Sequence, residues 1–205
     1  MREPIRVILA TSNPGKLREY SVLADESGIE LALLPDFQKI PSFEESAPTF
    51  AENAAGKSLH YSKHASGIVL ADDSGLVVPA LGGAPGVHSA RYAGPSATDG
   101  DRVRKLLHEM EAMDGESRRA RFVCVTALAQ QGRAIAVVSD FAQGTITKEP
   151  RGMDGFGYDP VFFFEQLGRT YAEITREEKN KYSHRGKAFR KALEILAAHN
   201  SGTFL

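Results

Sequence analysis

The sequence predicts an α/β fold, a mixed β-sheet flanked by helices. Three observations carry that prediction. Short apolar, β-branched runs recur along the 205 residues, amphipathic runs with helix-start signals alternate with them, and several strand-like runs follow one another in the second half. The strand candidates are RVILA (6–10), IELALL (29–34), GIVLAD (67–72), LVVPAL (76–81), RFVCVTALA (121–129), AIAVVSDFAQGTIT (134–147) and PVFFF (160–164). A first helix is predicted to begin after Asn13, with Pro14 at the first helical position, where its missing N–H costs nothing. A second begins at Thr49, with Glu52 three residues on as a capping box. A third begins near Thr98 and carries Val103, Leu106, Leu107 and Met110 on one face. A fourth begins at Ser183, with Phe189, Leu193 and Leu196 spaced for a buried stripe. The stretches 81–96 and 149–159, rich in glycine and proline, are the predicted loops. No internal repeat or low-complexity tract divides the chain, so residues 1–205 read as one domain.

Composition narrows the function classes. A hydrophobic content of 42% and a charged content of 25% suit a globular protein, and a net charge of −1 argues against nucleic acid as a partner. Cys124, the only cysteine, rules out an internal disulfide and a cysteine-rich zinc site; inside RFVCVTALA it reads as a small core residue in a reducing cytoplasm. The apolar run Val7–Ala10 is too short for a signal peptide, and no run approaches a membrane span, so a cytoplasmic protein without a membrane partner is expected. His60, His64, His88, His108 and His199 lack the company of metal ligands.

Six segments carry chemistry. In ATSNPGK (10–16) a helix N-terminus offers N–H groups and a partial positive charge to anions. Thr11, Ser12 and Asn13 add hydrogen-bonding side chains and Lys16 a mobile cation, which together make a triphosphate cradle. It is not a Walker A loop, because GxxxxGK[ST] is absent; an asparagine cap followed by an exposed lysine would read the same. FEES (43–46) and ADDSG (71–75) set paired carboxylates beside predicted strand ends. A magnesium ion takes oxygen ligands, commonly one or two carboxylates plus phosphate oxygens. Asp73 is placed to meet such an ion, with Ser74 toward the phosphates, although Asp-Asp-Ser-Gly is also ordinary turn chemistry. Asn53 and Lys57, four apart on the second helix, share a face and present an amide and an ammonium. In GFGYDP (155–160) the glycines permit close approach and Phe156 or Tyr158 can stack on a base; a turn anchored by core aromatics is the other reading. EEKNKYSHRGKA (177–188) puts Lys179 before a predicted helix start and His184 and Arg185 in its first turn, where the helix dipole disfavours cations. A local conflict of that kind points to use.

Taken in order, ATSNPGK (10–16), EES…TFAENAAGKS (44–58), ADDSGL (71–76), LGGAPGVHSARYAG (81–94), RF (121–122), GFGYDPVF (155–162) and EEKNKYSHRGKA (177–188) resemble the inosine triphosphate pyrophosphatase family, which acts on nonstandard purine nucleoside triphosphates. The resemblance runs from about residue 6 to 197 and implies an elongated α/β fold of two lobes with a central substrate cleft, assembled as a homodimer. It implies Mg²⁺-dependent conversion of ITP, dITP and XTP to the monophosphate and pyrophosphate. By position, Thr11, Ser12, Asn13, Pro14, Gly15 and Lys16 would hold phosphates, and Asp73 would ligate metal and accept a proton. Ser74, Lys57 and Lys179 would meet the phosphate or ribose end, while Phe156, Gly157, Tyr158, Asp159, His184 and Arg185 would surround the base. Glu44 and Glu45 both stand as metal ligands; relatives with one acid here match Glu44, which favours it. An aspartate near its reference pKa of about 3.9 would be ionised at neutral pH without tuning. Two other readings compete: a related Maf-type pyrophosphatase acting on modified pyrimidines, and a catalytically silent triphosphate sensor.

Overall fold

Alternation along one short strand sets up the layers. In a computed structural model describing residues 5–200, β1 (Arg6–Leu9) sends Val7 and Leu9 into one apolar cluster and Ile8, with the following Ala10, into another. The first cluster includes Tyr20 and Leu23 of α1 (Pro14–Ser27) and Phe189, Ala192 and Leu196 of α5 (His184–Asn200). Tyr61 of α2 (Phe50–Ser62) belongs to the second. A strand with both faces buried must be covered on each side, and these helices supply the cover.

The remaining elements are β2 (Glu30–Leu33), β3 (Ile68–Val77), α3 (Asp99–Glu109), β4 (Arg119–Gln130), β5 (Arg133–Ile146), β6 (Phe162–Phe164), β7 (Arg169–Thr170) and α4 (Arg176–Tyr182). Seven strands form one mixed sheet in the order β2-β1-β3-β4-β5-β6-β7. β1 is parallel to β2 and β3, whereas β5–β6 and β6–β7 are antiparallel. β4 and β5 join through Gln131 and Gly132, both at positive φ, as a tight hairpin turn requires.

The chain divides into two compact units. The first comprises Met1–Asp73, Cys124–Asp140 and Arg185–Leu205, and the second Ser74–Val123 and Phe141–His184. The second unit has its own core, with Leu76 and Val78, Val103, Leu106 and Met110, and Phe122, Phe162 and Tyr171 all buried. No helix among the described residues is long and apolar enough to cross a membrane.

Two sequence expectations need correction. GIVLAD and LVVPAL are not two strands: β3 runs through both, and Asp72, Asp73, Ser74 and Gly75 lie within it rather than in a turn, while Pro79–Leu81 becomes a short 3-10 turn. Extended backbone is tolerated there because the carboxylates have partners, described below. The helix expected at Ser183 is preceded by another. α4 starts from a Thr175–Glu178 capping box, so Lys179 sits on a helix and not ahead of one. Ser183 adopts an extended conformation, and α5 begins at His184.

Candidate active site

The opening stretch turns out to be a capped helix start. Asn13 Oδ1 accepts from the N–H groups of Gly15 (2.8 Å) and Lys16 (3.1 Å), and Pro14 has none to offer. The donors expected to hold phosphate are therefore occupied by Asn13 itself. What the stretch presents is side chains: Thr11, whose Oγ1 accepts from Asn13 N (3.2 Å), the exposed Ser12, and Lys16. Pro14 is exposed and Gly15 buried.

Lys16 reaches β3. Its Nζ lies 3.0 Å from Asp72 Oδ2 and 3.3 Å from the Asp72 carbonyl. Arg185, at the start of α5, pairs with Glu19 of α1 and lies 3.4 Å from the same Asp72 oxygen. Burial alone would raise the Asp72 pKa, but the charges of Lys16, Arg185 and Lys57 override it and hold the carboxyl well below the usual range. Its other oxygen, Oδ1, is buried without a hydrogen-bond partner among the described residues.

Asp73 differs from its neighbour in every respect that matters. Its Oδ2 accepts from Asn53 Nδ2 (3.0 Å), and it is 5% exposed. Burial, reinforced by the charges of Glu45 and Asp72 and opposed by Lys16 and the Asn53 bond, raises its pKa from 3.8 to about 6. The sequence expectation of an untuned carboxyl is corrected accordingly. Asn53 also grips the chain at Ala47, accepting from its N–H (3.0 Å) and donating to its carbonyl (3.2 Å). Lys57 pairs with Glu45 and comes within 3.5 Å of the Asp72 carbonyl. Glu44, the acid favoured by resemblance, is exposed; Glu45 is the one electrostatically coupled to Asp73.

Among the described residues no group of three or more His, Cys, Asp or Glu side chains is arranged to hold a metal ion. The donor set nonetheless fits magnesium. The charge of Glu45 raises the cost of ionising Asp73, a conflict that a hard divalent cation relieves, and Mg²⁺ commonly takes only one or two protein carboxylates.

The second unit holds the remaining expected residues. Gly155 has φ +78°, and a Cβ there would lie 2.2 Å from Asp159 Oδ2, so the turn closes only with glycine. Asp159 accepts from Phe156 N (2.8 Å) and pairs with Lys179, both side chains buried. Lys179 Nζ stands 4.9 Å from the Phe156 ring centroid. Gly157 N donates to Asp99 at the start of α3 (2.7 Å). Tyr158 is a core residue, 3% exposed, with its hydroxyl on the Ser89 carbonyl (2.9 Å). That leaves half-buried Phe156 as the aromatic of this turn with an accessible ring. His184 stacks on Phe122 with centroids 4.8 Å apart and an interplanar angle of 9°. Ser74 is half-buried on β3.

Sequence reasoning gave no role to Glu19, placed Asp72 only as one of a carboxylate pair, and read Asn53 only as an amide sharing a helix face with Lys57. Glu19 carried a signal: Gly15, Glu19 and Leu23 follow the i, i+4, i+8 spacing of a buried stripe, and an acid within such a stripe needs a partner.

Known proteins resemble this chain over most of its length. The chain is 49% identical to a dITP/XTP pyrophosphatase of Geobacillus kaustophilus over 90% of its length and 91% of the relative's. It is 41% identical to a dITP/XTP pyrophosphatase of Bacillus subtilis over 93% and 96%. Among solved structures, a HAM1 protein from Coxiella burnetii superposes with a TM-score of 0.83 at 41% identity, covering 94% of this chain and 98% of that one. A nucleoside-triphosphatase, dITP/XTP pyrophosphatase, from Mycobacterium abscessus gives 0.70 at 38% identity, covering 94% and 100%. The Ham1 family profile matches residues 7–195, and the chain belongs to that family.

Proposed function

We propose that this protein is a nucleoside triphosphate pyrophosphatase that hydrolyses the nonstandard purine nucleotides ITP, dITP and XTP to the monophosphate and pyrophosphate with Mg²⁺. The observation that carries the reading is the first unit's cluster of Lys16, Lys57, Glu45, Asp72 and Asp73, where two lysines and two differently tuned aspartates meet. Relatives named dITP/XTP pyrophosphatase support the substrate class.

Glu45 and Asp73 would hold the metal, which when bound offsets charge on the phosphates. Lys16 and Lys57 would neutralise charge on the departing pyrophosphate, with Thr11 and Ser12 bonding its oxygens. Asp73, ionised above pH 6, would accept the proton of the attacking water, and Asn53 orients its carboxylate. Phe156, backed by Lys179, would stack on the purine, and Asp159 holds that lysine in place. Hypoxanthine and xanthine carry an acceptor oxygen at position 6, where adenine carries an amino donor. Donors from His184 and Arg185 would satisfy the oxygen and leave adenine's amino group facing other donors, a mismatch of about 1–3 kcal/mol. Homodimer assembly and a cytoplasmic location belong to the same proposal and rest on the family resemblance; sedimentation and cell fractionation test them.

The deciding experiment is pyrophosphate release from ITP, dITP, XTP, GTP and ATP, with and without Mg²⁺. The first three should be turned over well above the last two, and only with metal. Equal rates across all five would remove the specificity claim, and tight binding without release would favour a sensor.

A further inference from the structure

The acid-bearing segment 41–47 has no regular secondary structure, yet it is held along its length by one face of α2. Asn53 grips Ala47, Lys57 pairs with Glu45, Tyr61 Oη accepts from Phe43 N (3.2 Å), and the His60 ring N–H donates to the Pro41 carbonyl (2.7 Å). Positions 53, 57, 60 and 61 follow the i, i+4, i+7, i+8 spacing of a single helical stripe. The missing i+3 member is Gly56. The Phe43 ring rests there: a Cβ on Gly56 would lie 2.5 Å from Phe43 Cζ, closer than side chains approach, and a tight 3.0 Å from Cε2, so the ring would have to shift. A glycine inside a helix works against helix formation, so its place opposite an aromatic ring asks for a reason.

We propose that Gly56 is a positioning residue: by leaving room for Phe43 it seats the segment 41–47 on α2, and so sets Glu45 beside Asp73 for the metal. The inference rests on the reading of Glu45 and Asp73 as metal ligands given above. It separates two properties that usually fall together. Gly56→Ala improves the helix while displacing the ring, so metal response should worsen without loss of stability in metal-free protein.

The test compares wild type, Gly56→Ala, Tyr61→Phe and the double variant Gly56→Ala/Phe43→Leu. Two readouts are used: the rise in thermal midpoint on adding Mg²⁺ alone, and the Mg²⁺ concentration for half-maximal pyrophosphate release from ITP. Gly56→Ala should keep or raise the metal-free midpoint and require about tenfold more Mg²⁺ in both readouts, the scale seen when support of a metal ligand is lost. The smaller leucine should restore much of the response. Tyr61→Phe, which removes one hydroxyl and keeps the ring, should shift the Mg²⁺ requirement in the same direction and keeps the test alive should Gly56→Ala fold poorly. A wild-type Mg²⁺ response in Gly56→Ala, or an equal loss in the double variant, overturns the proposal. If wild type releases no pyrophosphate from any nucleotide, the functional reading fails, while the Mg²⁺-induced midpoint still decides the positioning role.

Discussion

At the scale of single residues, the two adjacent aspartates of β3 make opposite contributions to stability. Asp73 has a folded pKa of about 6 against an ordinary 3.8, so the folded protein binds its proton more tightly than the unfolded chain does. Stability therefore falls as pH rises from 3.8 to about 6, and the penalty is complete above that range. Asp73→Asn should abolish turnover and yet stabilise metal-free protein at pH 7, by about 1–3 kcal/mol, with the gain vanishing near pH 4. Denaturant melts at the two pH values check this; a variant with near-native activity would contradict the catalytic role. Asp72 runs the other way. Held below its usual range by Lys16 and Arg185, it contributes stability above pH 3.8 that is lost as pH drops below that value. Asp72→Asn leaves buried Arg185 and half-buried Lys16 undercompensated and should destabilise the fold by about 3–5 kcal/mol. A melt within error of wild type would remove Asp72 from the network.

At the scale of elements, what could be read in the sequence was what depends on near neighbours. The starts of α1, α2 and α3 follow from Asn13, Thr49 and Thr98, because a cap acts within three residues of itself. The continuous β3 could not be read that way. Asp-Asp-Ser-Gly is turn-like locally, and only Lys16, Arg185 and Asn53, distant in sequence, make an extended, buried path for those carboxylates tolerable. The site was legible as a set of residue types, and the Asn13 cap as a local bond that takes up the N–H groups meant for phosphate, but that Glu45 rather than Glu44 would face Lys57 is decided by packing. α4 was missed although its Thr175–Glu178 box is a local signal, since the stronger apolar stripe of α5 drew the helix start to Ser183. The turn at 155–159 gives this scale its prediction. Gly155→Ala forces a Cβ against Asp159 and a side chain into positive φ, at about 1–3 kcal/mol of strain. It should loosen the Asp159–Lys179 pair beneath Phe156 and raise KM for ITP more than it lowers kcat. Unchanged KM would show that this turn does not meet the substrate.

For the molecule as a whole, binding must appear as stability. A ligand that binds only the folded protein adds free energy by mass action, about 2.7 kcal/mol at a hundredfold excess over Kd. For a chain of 205 residues each kcal/mol moves the thermal midpoint by roughly 2–4 °C, so saturating nucleotide should raise it by about 5–10 °C. Turnover would blur the measurement, so the ligands should be ITP and ATP analogues with a methylene bridge between the α and β phosphorus atoms. The two carry the same charge and the same phosphate chain, and any difference between them belongs to the base. If base recognition works through donors facing position 6, the ITP analogue should give the larger shift with Mg²⁺ present. Omitting Mg²⁺ should reduce both shifts, because the repulsion between Glu45, Asp73 and the triphosphate then goes unrelieved. Equal shifts for the two analogues would confine discrimination to the transition state and leave His184 and Arg185 with no part in binding the ground state. A larger shift for the ATP analogue would invert the base assignment altogether.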